Sequence, residues 1–322
     1  MKILHTADWH LGHQLHGHER RFEHDAFLDW LTDTIKTRQI DALLVAGDLF
    51  DTANPPASAW QQLYRFLARL RAEMPRLNMV LIGGNHDSPS KLDAPHELLR
   101  AFDLHLVGSI SRDGEGKLET DRLLVPLQDR EGKVAAWCAA VPFLRSSDLR
   151  VEPLEEGQDR LIEGVRQIYQ DVLAQGRTRC EPGQALIAMG HAYLAAGQLS
   201  ELSERRVLGG NQHALPADIF ATADYTALGH LHLAQSPAEG VHYSGSPLPL
   251  SLAEANYNHQ VLEVRFEGGK LAGLERIPVP RAVEMIRLPQ GTLEEALKAI
   301  EALSLPDCPQ EAQPFLEVRL LL

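Results

Sequence analysis

The chain has 322 residues, with 31 Lys and Arg against 44 Asp and Glu, a formal net charge of −13. Its hydrophobic content of 44% and charged content of 23% exclude a disordered chain, a collagen-like fibre and a coiled coil. The length suggests two domains, or one large domain with an appendage, and the acidic balance argues against binding nucleic acid by bulk charge, though not against acting on it.

In chain order, Lys2–Thr6 reads as a short buried strand, and 20–36 has helical spacing through Phe22, Phe27, Leu28, Leu31 and Ile35. A second strand is expected over 41–46, a helix over 57–72 with Trp60 in the core, and a third strand over 79–82 closed by Gly83-Gly84. That alternation predicts parallel βαβ units. Paired strands follow at 122–126 and 133–141, the latter holding Cys138 as a buried small hydrophobe. A helix is expected over 159–174, and strands over 184–189 and 225–228 each run into Gly-His. Antiparallel strands are expected at 241–243, 260–266 and 270–277, the last two joined at Gly268-Gly269.

Pro278 and Pro280 mark an expected boundary. Residues 1–280 would form the main domain. Residues 281–322 would form a small β-α-β unit from 283–288, a helix over 292–303 and 314–322. Its apolar end suggests that more chain normally follows. No apolar run reaches the roughly 20 residues of a membrane span, and no secretory h-region follows Met1. The three scattered cysteines fit a reducing compartment rather than a disulfide framework. The cytoplasm is the expected location, with no membrane association.

Five clusters stand at the predicted strand ends: Asp8-Trp9-His10, Gly47-Asp48-Leu49-Phe50-Asp51, Gly84-Asn85-His86-Asp87, Gly190-His191 and Gly229-His230-Leu231-His232. The carboxyl ends of strands form the functional edge of an open α/β sheet, so these loops can converge. Oxygen and imidazole donors without thiolate suit Mn, Fe, Co, Ni or Zn. Singly, Asp-x-His is more often a turn or cap, and the other clusters are weak. Jointly they point to two cations clamping a phosphate, with Asp48 as the natural bridge. Asp8/His10 and His230/His232 each put two ligands on one face of an extended segment. The glycines before Asp48, His191 and His230 are expected to turn the backbone tightly. Asp51 is expected to hold the ring of His86 through its carboxylate, raising the pKa of a general acid.

These five clusters resemble the calcineurin-like metallophosphoesterase family. Within it, the runs His5–Gly12, Ala46–Thr52, Gly84–Ser88 and Gly245–Ser251 are similar to the bacterial DNA-nuclease members. The resemblance implies an α/β sandwich of two mixed β-sheets flanked by helices, with a small C-terminal capping domain. Asp8, His10, Asp48 and His232 would hold one metal, and Asp48, Asn85, His191 and His230 the other, the usual metal being manganese (Mn2+). His86 and Asp51 would be the catalytic residues outside the ligand set, although archaeal and eukaryotic members carry histidine at the position of Asp51. The implied reaction is hydrolysis of DNA phosphodiesters, exonucleolytic on duplex ends and endonucleolytic on single strands and hairpins. The implied partner is an ABC-type ATPase with a long coiled coil, bound to a homodimer within a heterotetramer. Either the helices that grip that coiled coil would lie beyond residue 322 or the attachment would be shorter here.

Other readings are a phosphodiesterase or phosphatase acting on a small molecule or a protein, and a non-catalytic scaffold of the same fold. The filled ligand positions and His86 disfavour the scaffold. Arg65, Arg69, Arg71 and Arg76, and the pair Arg205-Arg206, read first as solvated faces and second as DNA contacts. Tyr193 is expected to line the substrate cleft.

Overall fold

The computed structural model describes residues 1–150, 159–195, 197–198, 214–305 and 307–321. Two six-stranded mixed sheets stack on each other. The first runs, in spatial order, Lys270–Pro278, Gln260–Glu267, Lys2–Thr6, Ala42–Ala46, Asn78–Ile82 and Leu104–Val107. Its four strands from Lys2–Thr6 onward are parallel, and Gln260–Glu267 is antiparallel to Lys2–Thr6. The second runs Gln235–Ala238, Val241–Tyr243, Tyr225–Gly229, Ala185–His191, Val134–Ala140 and Leu124–Gln128.

The two-residue alternation of strands explains the stacking. Leu44 and Ala46 join Val80 and Ile82 in the core between the sheets. Leu43 and Val45 point the other way, into a second core under the helices Arg21–Arg38 and Ala57–Glu73. Strands buried on both faces need continuous apolar runs, which is why they stand out in the sequence. On the second sheet, Arg160–Arg179 packs through Val165, Ile168, Tyr169 and Val172, with Asp159 capping its first turn. Cys138 is fully buried, and Trp60 packs half-buried on Phe50 at 4.2 Å between ring centroids.

Two expectations need correction. Val241–Tyr243 is antiparallel only to Gln235–Ala238 and runs parallel to Tyr225–Gly229, because the turn at Gly240 (φ +71°) inserts it between them. The edge strand Leu104–Val107 was not anticipated, since His105 interrupts its short apolar run. Arg205-Arg206 and residue 322 lie outside the described residues.

After residue 280, Met285–Arg287 and Phe315–Glu317 pair in parallel around the helix Leu293–Glu301. Thr292 and Glu295 close a capping box at its start. This unit touches the body through Phe315, which meets His18 edge-on and lies under the guanidinium of Arg20.

Candidate metal centre

The carboxyl ends of five strands deliver the candidate residues. Asp8 and His10 follow Lys2–Thr6, Asp48 follows Ala42–Ala46, and Asn85 and His86 follow Asn78–Ile82. His191 ends its strand in the second sheet, and His230 and His232 follow Tyr225–Gly229. Asp8, His10, Asp48 and His230 all adopt left-handed backbone, with φ of 55°, 48°, 47° and 105°. Such strain persists only where surrounding bonds over-determine it. Here Asp8 N–H donates to Gly47 O at 3.0 Å, His10 N–H to Asp48 O at 3.0 Å and Leu11 N–H to Leu49 O at 2.9 Å, zipping two loops together. The Asp87 carboxylate accepts from the backbone N–H groups of Leu49, Phe50 and Gly84 at 2.8–3.0 Å, tying in the third loop.

The glycines act differently from expectation. Of the three preceding Asp48, His191 and His230, only Gly47 takes a positive φ (+94°). Gly190 and Gly229 are needed for close approach: a Cβ would stand 2.3 Å from Tyr169 Oη at the first and 1.9 Å from Ala46 O at the second.

All seven candidate ligands converge. Donor atoms of Asp8, His10 and His232 lie within 4.8 Å of one another, as do those of Asp8, Asp48 and His191. Asp48 Oδ2 is 3.6 Å from His10 Nε2 and 3.4 Å from His191 Nε2, so one carboxylate oxygen faces both groups. Asn85 Oδ1 lies 2.8 Å from His191 Nε2 and 3.2 Å from His230 Nδ1. His86 also stands within 4.8 Å of donors on His10 and Asp48, and its backbone N–H donates to Asp48 Oδ1 at 2.8 Å.

The electrostatics suit a cation. Burial pushes the Asp8 carboxyl up to about 6. Burial also pushes His10 down to about 4 and His230 down to about 3, leaving neutral imidazoles, the form that ligates metal. His191 is the exception: burial acts against its charge, yet the Asp48 carboxylate holds it up at about 9. Burial likewise opposes the charge of Asp48, which His191 nevertheless keeps well below the usual carboxylate range. His10 Nε2 is buried with no hydrogen-bond partner among the described residues. Two buried carboxylates, an orphaned imidazole nitrogen and a His191 proton that a cation beside Asp48 would displace fit hard or borderline divalent cations.

The Asp51 expectation is overturned in its contact. His86 Nδ1 donates to the backbone carbonyl of Asp51 at 2.7 Å, not to its carboxylate. The carboxylate lies instead 3.3 Å from His10 Nδ1 and 3.1 Å from His13 Nδ1. Burial opposes its charge, but those two imidazoles hold its pKa far below the usual carboxylate range.

Three further residues were not anticipated. Glu254, fully buried, accepts from His232 Nδ1 at 2.9 Å and, through its other oxygen, from Leu250 N–H at 2.7 Å. His13 shares the Asp51 carboxylate, and Arg145 donates to Asp87 O at 3.0 Å. His13 follows the first cluster by three residues and could have been included, but Glu254 and Arg145 lie in segments with no ligand-like pattern. Tyr193 lines a cleft beside the centre with Phe143, Tyr169, His191 and His230.

The calcineurin-like phosphoesterase family matches residues 1–234. The chain is 45% identical to SbcD of the SbcCD nuclease of Rhodobacter capsulatus, over 99% of this chain and 80% of that one. It is 35% identical to SbcD of Escherichia coli, over 94% and 73%, and 34% identical to SbcD of Bacillus subtilis, over 86% and 69%.

Proposed function

The chain belongs to the calcineurin-like phosphoesterase family and, within it, to the SbcD group of SbcCD nucleases, and from that premise we propose that it hydrolyses DNA phosphodiesters with two manganese ions. It is a metal-dependent phosphodiesterase of the nuclease type. The observation that carries the two-ion reading is Asp48 Oδ2 facing His10 Nε2 and His191 Nε2 at once.

Asp8, His10, Asp48 and His232 would hold one ion, and Asp48, Asn85, His191 and His230 the other. Bound there, a cation pair lowers the pKa of water and neutralises phosphate charge for in-line attack. His86 does the remaining proton work. With Nδ1 donating to the Asp51 carbonyl, its ring is fixed and Nε2 is left to protonate the leaving oxygen. Asp51 serves as a positioning residue, through its carbonyl for His86 and its carboxylate for His10. Glu254 does the same for His232.

The reaction covers exonucleolytic cutting of duplex ends and endonucleolytic cutting of single strands and hairpins. The partner is an SbcC-type ABC ATPase with a coiled coil, which supplies the duplex affinity that a chain of net charge −13 lacks. The exposed apolar face of Tyr64, Leu98 and Phe102 suits a homodimer within that heterotetramer, since such exposed patches mark interaction sites. Residues 281–322 act as the capping domain. Among the described residues no helix is long and apolar enough to cross a membrane, and the cytoplasm is the proposed location.

The test is a nuclease assay on linear duplex and hairpin DNA with manganese, with and without chelator. Chelator-sensitive cutting is the expected result. Hydrolysis of bis(p-nitrophenyl) phosphate without any cutting of DNA would favour the small-molecule phosphodiesterase instead.

A further inference from the structure

We infer that Arg145 clamps the phosphate flanking the scissile one, and so makes the site selective for polynucleotides over isolated phosphodiesters. This rests on the nuclease reading above. The segment after Val134–Ala140 leaves the second sheet and crosses to the loop that carries Asn85 and His86. Phe143 N–H donates to Gly83 O at 2.8 Å, and Arg145 Nη2 donates to Asp87 O at 3.0 Å. The guanidinium lies 5.3 Å over the Phe143 ring, and that ring meets His191 edge-on at 6.1 Å. Arg145 is therefore locked by a carbonyl and an aromatic face directly beside the metal loops.

What holds it leaves its charge available. Among the described residues Arg145 makes no ion pair, it is only half-buried, and its side chain spends a single N–H on the Asp87 carbonyl. The planar fork keeps further donors for a phosphate, the anion it matches in geometry. A guanidinium stacked on an aromatic face is also a common way of meeting a nucleic-acid strand. Arg112 reaches this turn from a separate loop, donating to Asp148 O and Gly116 O at 3.2 Å each, again with no ion pair among the described residues. The Asp148 carboxylate accepts from the Arg145 backbone N–H at 2.7 Å. It thus holds the turn rather than neutralising the guanidinium.

The test compares two substrates on the manganese-loaded full chain: a short oligonucleotide, with phosphates on both sides of the cut, and bis(p-nitrophenyl) phosphate, with none. For Arg145→Gln, the ratio of kcat/KM on the oligonucleotide to that on the small diester should fall about tenfold, mainly through KM. The slope of log kcat/KM on the oligonucleotide against log salt should shrink by about 0.7–0.9, one phosphate contact. Arg145→Lys should retain most of the salt slope while recovering only part of the ratio, because it keeps the charge but not the fork. An equal fall on both substrates would reduce Arg145 to a brace for the Asp87 loop and overturn the inference, as would an unchanged ratio. Failure of the unaltered chain to cut any DNA would instead sink the nuclease reading itself.

Discussion

The two flanks of Asp48 are built differently. On the first flank the histidines are held from behind by carboxylates: Asp51 lies 3.3 Å from His10 Nδ1, and Glu254 accepts from His232 Nδ1 at 2.9 Å. On the second, His191 Nδ1 donates to a backbone carbonyl, Ala46 O, at 3.0 Å. A carboxylate behind an imidazole fixes its tautomer and raises its basicity as a ligand. The second flank must also give up the proton that Asp48 holds on His191. The first flank should therefore bind its cation more tightly, and the second should be the exchangeable one.

The largest effect belongs to Asp48→Ala, which strikes both flanks and should abolish cutting of DNA with manganese in a standard nuclease assay. Next comes His86→Gln, which touches neither flank's ligand set. Turnover should fall by at least roughly 10²-fold, as for loss of a general acid, while metal analysis shows unchanged content. If a metal is released instead, the third donor group of His10, Asp48 and His86 is a genuine site, and His86 is a ligand.

Asp51→Asn and Glu254→Gln sharpen the contrast. Each should weaken the tighter manganese step by about 10–100-fold and leave the weaker one in place, as read by calorimetric titration of the chelator-stripped chain. Equal weakening of both steps would erase the distinction between flanks. Asp51→Asn keeps the carbonyl that holds His86, so the alkaline limb of the rate profile should not move.

The smallest effect is on stability. His5 lies behind the second flank, with Nδ1 on Tyr225 Oη at 2.9 Å and Nε2 on Leu228 O at 3.2 Å. Burial pushes its pKa down to about 3 from an ordinary value near 6.5. Its contribution is complete above about pH 6.5 and is lost as pH falls toward 3, because the unfolded chain takes up the proton first. By pH 5 that amounts to about 2 kcal/mol. Denaturant melts of the metal-free chain at pH 7 and pH 5 should show the loss, and His5→Gln should make the dependence shallower. An identical dependence in that variant would show that His5 is not the group involved.

Much of this was legible in the sequence, for a physical reason. The candidate ligands here are all Asp, Asn or His and sit where apolar strands stop, so Gly47-Asp48 and Gly229-His230 announce themselves by residue type and place. What supports a ligand carries no such mark. Glu254 lies 22 positions beyond His232, past two intervening strands, and only folding brings them together. Asp51 misled because its closeness to Asp48 in sequence does not say which of its oxygens faces His86. The β-α-β unit after residue 280 was readable from Pro278, Pro280 and the change of pattern that follows them. The parallel setting of Val241–Tyr243 was not, since a three-residue strand has no pattern that distinguishes its neighbours.

The central claim is that one carboxylate serves both cations, and metal analysis of purified Asp48→Ala tests it most directly. The unaltered chain, loaded with manganese and freed of excess, should carry two ions per chain, and the variant should lose both together. Retention of two ions by the variant would contradict the shared position of Asp48.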